Sequence, residues 1–122
     1  MGIARKWRIA EMDLWDQDAL ELVGPAFIEF GKGRSGQFRF VAVEGWIDWV
    51  HKGRNSRPYV EFTWNGNDER DPVSGRGWAK LDYDCSLSGR IFIHQGDNSG
   101  FNAIPFKEYR PNAEAAAKRK SR

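Results

Sequence analysis

The sequence predicts an all-β fold: an antiparallel meander of about eight strands, forming a small closed or partly closed barrel. Three observations lead there. Short bulky segments recur along the chain, divided by clusters of Gly, Pro, Asn, Asp and Ser. Several of them alternate apolar with polar, most cleanly Tyr59-Val60-Glu61-Phe62-Thr63-Trp64. The joins are short, so strands adjacent in sequence pair with each other, and closing the set removes both exposed edges. A curled sheet or a sandwich is the next choice.

The first strand covers residues 7–15, Trp-Arg-Ile-Ala-Glu-Met-Asp-Leu-Trp. Neither of its faces is purely apolar, so the inward one is not assigned. Residues 16–25 form a loop with one helical turn over Ala19-Leu20-Glu21-Leu22. Residues 26–30 make the second strand, stopped by Gly31, Gly33 and Gly36, and residues 37–43 the third. Glu44-Gly45 is a two-residue hairpin signal. Residues 46–51 make the fourth strand, 52–56 a loop, and 57–64 the fifth strand, with Pro58 suited to its start. Residues 65–77 read as a long polar loop. Strands at 78–83 and 87–94 flank a turn at 84–86, and a second polar loop, 95–100, leads to a short strand at 101–106.

Size and composition agree with one domain, residues 1–110, followed by a disordered basic tail, 111–122. Six Trp and eight Phe supply core volume. No apolar run approaches the roughly 18 residues of a membrane helix, and the N-terminal residues lack the apolar stretch of a secretory signal. Cys85 is the single cysteine, so an intramolecular disulfide and a thiolate metal cluster are both excluded. These features predict a cytoplasmic protein with no membrane association. The net charge of +2 is unevenly spread. From Lys107 onward six Lys or Arg face two Glu, a local +4, which leaves the first 106 residues at −2. A nucleic-acid-binding domain usually carries its excess positive charge on the folded surface. Nucleic acid is therefore an unfavoured partner, reachable through the tail and exposed Trp.

The meander places alternate connections at alternate ends. One rim then gathers 16–25, 44–45, 65–77 and 95–100, which are acidic and amide-rich. The other holds Lys32, Arg34, Lys52, Arg54 and Arg57. The candidate ligand-binding residues are Asn67, Asp68, Glu69, Asp71, Arg76, His94 and Asp97, all on the first rim. His94 beside Asp68 or Asp97 is raw material for general acid–base chemistry. Turn chemistry alone also accounts for the Asn, Asp and Gly content. No second histidine accompanies His94, and neither a zinc spacing nor a calcium loop is present, so no metal and no cofactor is expected. Trp46 and Trp49 differ in parity and cannot share a face. Trp64 and Trp78 are expected to staple the feet of the long loop as a cross-strand pair.

Three stretches, Trp64-Asn65-Gly66-Asn67-Asp68-Glu69, Ser74-Gly75-Arg76-Gly77-Trp78-Ala79 and His94-Gln95-Gly96-Asp97-Asn98-Ser99-Gly100-Phe101, resemble a family of small uncharacterised bacterial proteins. Trp7-Arg8-Ile9 and Met12-Asp13-Leu14-Trp15-Asp16 fit the same family. The resemblance covers most of residues 7–101. It implies a bacterial cytoplasmic origin and a role for the two polar stretches, and it carries no activity, cofactor or partner.

Three functions follow in order. The first is a non-enzymatic binding module presenting its polar rim to a small polar ligand or a protein partner. The second is an enzyme using His94 as general acid or base with loop carboxylates. The third is a nucleic-acid binder.

Overall fold

A computed structural model describes residues 2–53 and 58–107. Eight antiparallel strands close into a barrel in sequence order: β1 (Lys6–Met12), β2 (Phe27–Phe30), β3 (Ser35–Phe40), β4 (Val43–His51), β5 (Tyr59–Asp68), β6 (Asp71–Leu81), β7 (Leu87–Ile93) and β8 (Asn98–Pro105). One short helix, α1 (Gln17–Leu20), lies between β1 and β2, and a 3-10 turn at Lys32–Arg34 joins β2 to β3. The expected tail, 111–122, lies outside the described residues.

Strand β1 shows why its faces looked mixed. Its pairing with β8 shifts register between Ile9 and Glu11. This bulge inserts one residue and resets the alternation. Trp7 and Ile9 face inward before it, and Met12 faces inward after it.

The inward side chains form one continuous cluster. Phe38 stacks on Phe40 at 5.6 Å and meets Trp64 edge-on at 4.8 Å. Phe30 contacts both Phe62 and Trp49 at 5.8 Å. Such pairs add roughly 0.5–1.5 kcal/mol each beyond their burial. Both ends are closed. At the end where β1 runs into β2, Asp16 caps α1 by accepting from the Ala19 N–H at 3.0 Å. The helix drives Leu20 into the core, and the Leu20 carbonyl accepts from the Val41 N–H at 2.8 Å. At the opposite end the buried Ile3 fills the opening, and its carbonyl accepts from Trp7 Nε1 at 3.0 Å.

The structure corrects four readings of the sequence. Residues 65–77 are not a loop. They belong to two long strands paired from Tyr59↔Lys80 to Asp68↔Asp71, and the turn is only Glu69-Arg70. The glycines that suggest a loop serve the curvature. A Cβ on Gly66 would strike the Glu44 carbonyl, and one on Gly75 would strike the Phe92 carbonyl. Bare backbone at these positions lets the sheet bend sharply. Second, the β3–β4 hairpin turns at Val41-Ala42, and Glu44-Gly45 lie inside β4. Val41 takes φ 56°, a left-handed value uncommon for a β-branched residue, so no glycine marks the turn. Third, the 95–100 loop is shorter. Its turn ends at Asp97, and β8 begins at Asn98. Fourth, Trp64 and Trp78 are not a cross-strand pair. Trp64 lies opposite Gly75 and points inward, whereas Trp78 lies opposite Glu61 on the outer face.

The alternation of ends holds. The β1–β2, β3–β4, β5–β6 and β7–β8 connections share one end. Lys32, Arg34 and Lys52 belong to connections at the other end; Arg54 and Arg57 lie outside the described residues.

Candidate functional site

The predicted site residues divide into two groups. Asn67 is an exposed β5 residue paired with Pro72, and Asp68 faces Asp71 at the end of the same hairpin. Glu69 forms the turn at φ 59°, and its N–H donates to the Ala42 carbonyl at 3.2 Å. The hairpin tip therefore leans on the β3–β4 turn. Arg76 sits five residues into β6, on its outer face. His94 follows β7, and its backbone N–H donates to the Ser74 carbonyl at 2.7 Å. Asp97 closes that turn by accepting from the Ile93 N–H through its backbone carbonyl at 3.0 Å.

Arg76 and His94 are thus brought together, while the tip carboxylates are not. Asp71 lies three residues from Ser74 along β6, about 10 Å at strand rise. Among the described residues the His94 side chain makes no hydrogen bond to Asp68, Asp97 or any other group, and no three ligating side chains cluster as a metal site would need. The histidine–carboxylate pairing that the enzymatic reading relies on is missing from this arrangement.

What surrounds Arg76 is the outer face of β4–β7. Register defines it. One row across the sheet reads Ser35, Asp48, Thr63, Arg76, Phe92. The row toward the first end reads Gln37, Trp46, Asn65, Ser74, and the row on the other side Val50, Glu61, Trp78, Arg90. Their neighbours along each strand, such as Val60, Phe62 and Trp64, are buried in the core, which fixes these rows as outward. Trp46 is 50% exposed. Trp49 packs inward on Phe30 and donates its Nε1–H to the Ser35 carbonyl at 2.9 Å.

Among the depressions on this face, two share Thr63 and Arg76. The first, about 510 Å³, is lined by Thr63, Ser74, Arg76, Phe92, His94 and Gln95, together with Gly75 and Ile93. No carboxylate among the described residues lines it. The Arg76 guanidinium lies over the Phe92 ring at 4.2 Å from the centroid. Stacking of this kind fixes the plane of the fork and leaves its N–H edge free to donate. Among the described residues Arg76 has no carboxylate within ion-pair distance. The second depression, about 430 Å³, is lined by Asp48, Val50, Lys52, Tyr59, Glu61 and Trp78 beside the shared pair. Tyr59 packs against Trp78 at 6.0 Å and donates weakly to Glu61 Oε2 at 3.5 Å. Burial, with the Glu61 carboxylate beside it, raises the Tyr59 hydroxyl above its ordinary value.

No family model, curated protein or solved structure matches the chain.

Of the residues lining these depressions, the sequence pointed to Arg76 and His94. It missed Asp48, Glu61, Thr63, Ser74, Trp78 and Phe92. The signal was present: Tyr59, Glu61 and Thr63 share parity on β5, and Ser74, Arg76 and Trp78 share it on β6. Treating 65–77 as a loop hid the second set.

Proposed function

We propose that the protein is a non-enzymatic binding module that holds a small polar, anionic ligand on the outer face of its barrel. One observation carries this reading. Arg76, stacked on Phe92 and in no ion pair among the described residues, shares a depression with Ser74, Thr63, Gln95 and His94. These side chains supply hydrogen-bond donors around one fixed cation, the arrangement that suits a carboxylate or phosphate. The core leads to the same face. Side chains from the whole barrel fill the interior and both ends are closed, so an open lumen like that of a ligand-carrying barrel is not on offer.

The test is calorimetric titration with ribose 5-phosphate. The native chain should bind it, and Arg76→Gln should weaken binding about tenfold, as expected for losing a charge-assisted contact. The substitution is on an exposed side chain and should leave the melting temperature unchanged. Equal binding by both proteins would remove Arg76 from the site and this reading with it.

A further inference from the structure

The two adjoining depressions differ in chemistry, and that difference describes a ligand. The first has donors and, among the described residues, no carboxylate. The second has an aromatic wall, Tyr59 with Trp78, two carboxylates, Asp48 and Glu61, and one cation besides Arg76, Lys52. Arg76 borders both, and Trp78 stands two residues further along β6, about 7 Å at strand rise. An anion centred on Arg76 would therefore have a flat apolar surface and hydrogen-bond acceptors within the reach of one connecting group.

We infer that this face binds a nucleoside phosphate. Its phosphate would lie in the donor-lined depression, and its base against Trp78. This rests on the anion-binding reading above and names the ligand class. Three observations support it over a simple anion. Trp78 is half-buried on an outward row, held by Tyr59 on one side, so it offers a pre-set stacking surface. Asp48 is paired with Thr63 across β4–β5 and Glu61 stands two residues before Thr63 on β5, both as acceptors for an exocyclic amino group such as that of cytosine. Thr63 lines both depressions, so the two adjoin across a short side chain. The carboxylates also explain why the site would take one nucleotide unit more readily than a long polyanion. Their charge opposes further phosphates and is offset only in part by Lys52 in the same depression and by Arg34, which lies loosely on Asp48 at 3.7 Å.

The experiment is titration calorimetry of the full chain with cytidine 5′-monophosphate, uridine 5′-monophosphate, ribose 5-phosphate and a ten-residue oligocytidylate. Cytidine monophosphate should bind about tenfold more tightly than ribose 5-phosphate, and more tightly than uridine monophosphate, which presents a carbonyl where cytosine has its amino group. Trp78→Ala should reduce its affinity about tenfold and leave ribose 5-phosphate unaffected. Lys6→Gln, on β1 and outside the β4–β7 face, should change nothing. Melting curves confirm that each variant is folded, and Trp78→Phe, which keeps a stacking ring, should recover most of the loss. The oligocytidylate should bind no better per site than the mononucleotide; tighter binding per site would overturn the preference for a free nucleotide and identify the ligand as a single strand. Equal affinity for all three monophosphates overturns the nucleotide inference and leaves the anion site standing. Absence of binding by every phosphate compound overturns both.

Discussion

Glu69 illustrates how a residue that reads as functional can be structural. It is an exposed carboxylate in an acidic run, yet its position is set by backbone need. With φ 59° it turns the β5–β6 hairpin, and its N–H is committed to Ala42. Asparagine tolerates the left-handed region better than glutamate. Glu69→Asn should therefore stabilise the protein by about 0.5–1 kcal/mol, read as a small rise in melting temperature. It should not alter ligand binding, because Glu69 does not line the outer-face depressions. A fall in stability would mean that the carboxylate makes a contact beyond the turn. Asp84 plays a comparable part in the β6–β7 connection. Hydrogen bonds from the Ser86 hydroxyl and N–H, at 2.6 and 3.0 Å, hold its carboxyl below the usual range and shape the turn in which Cys85 takes φ 70°. Arg76 is the contrasting case. No turn, cap or ion pair among the described residues explains it, and the Phe92 ring beneath its guanidinium orients it on the outer face.

Among the elements, β5 and β6 decide both the shape of the molecule and the site. They are the longest strands, ten and eleven residues, and they run polar where they pass beyond the core. That is why this part of the fold was not legible. A strand is recognised by an apolar inward face, and at residues 65–77 the inward positions include Gly66, Gly75 and Gly77 where bulky residues are expected. The same glycines allow the coiling that closes the barrel. Gly75→Ala should cost about 1–3 kcal/mol through overpacking, since the new methyl group meets the Phe92 carbonyl and Trp64 Nε1. Chemical denaturation measures it; an unchanged midpoint would show that the backbone can relax at no cost. By contrast β7 and the core half of β5 were legible in the sequence, most clearly where Val60, Phe62 and Trp64 alternate with Glu61 and Thr63. The Val41 turn and the β1 bulge escaped for a related reason. Each is imposed by barrel closure rather than by local residue preference, and neither carries a glycine or proline to announce it.

At the scale of the whole molecule, the order of strands was legible because short joins leave a meander few alternatives. The shared end of the β5–β6 and β7–β8 turns follows directly from that order. The site was legible only in part. Placing loops on a rim collects residues by end, whereas the barrel collects them by register, across neighbouring strands. Register joins Arg76 to Thr63, Asp48 and Phe92, and separates it from the acids at the hairpin tip. The resulting molecule has a solid interior and a patterned exterior. Leu20 and Ile3 close its ends, aromatic rings fill it, and polar and aromatic groups outside β4–β7 are available to a partner.

The central claim is that binding occurs on this outer face and not within the barrel. Amide chemical-shift mapping by nuclear magnetic resonance, with ribose 5-phosphate titrated into the native chain, tests it most directly. Perturbations should concentrate at Thr63, Ser74, Arg76, Phe92, His94 and Gln95, and should leave Leu20, Met12, Phe40 and Ile3 unmoved. Shifts centred on α1 and the core around Phe40, or no shifts at any concentration, would contradict the account.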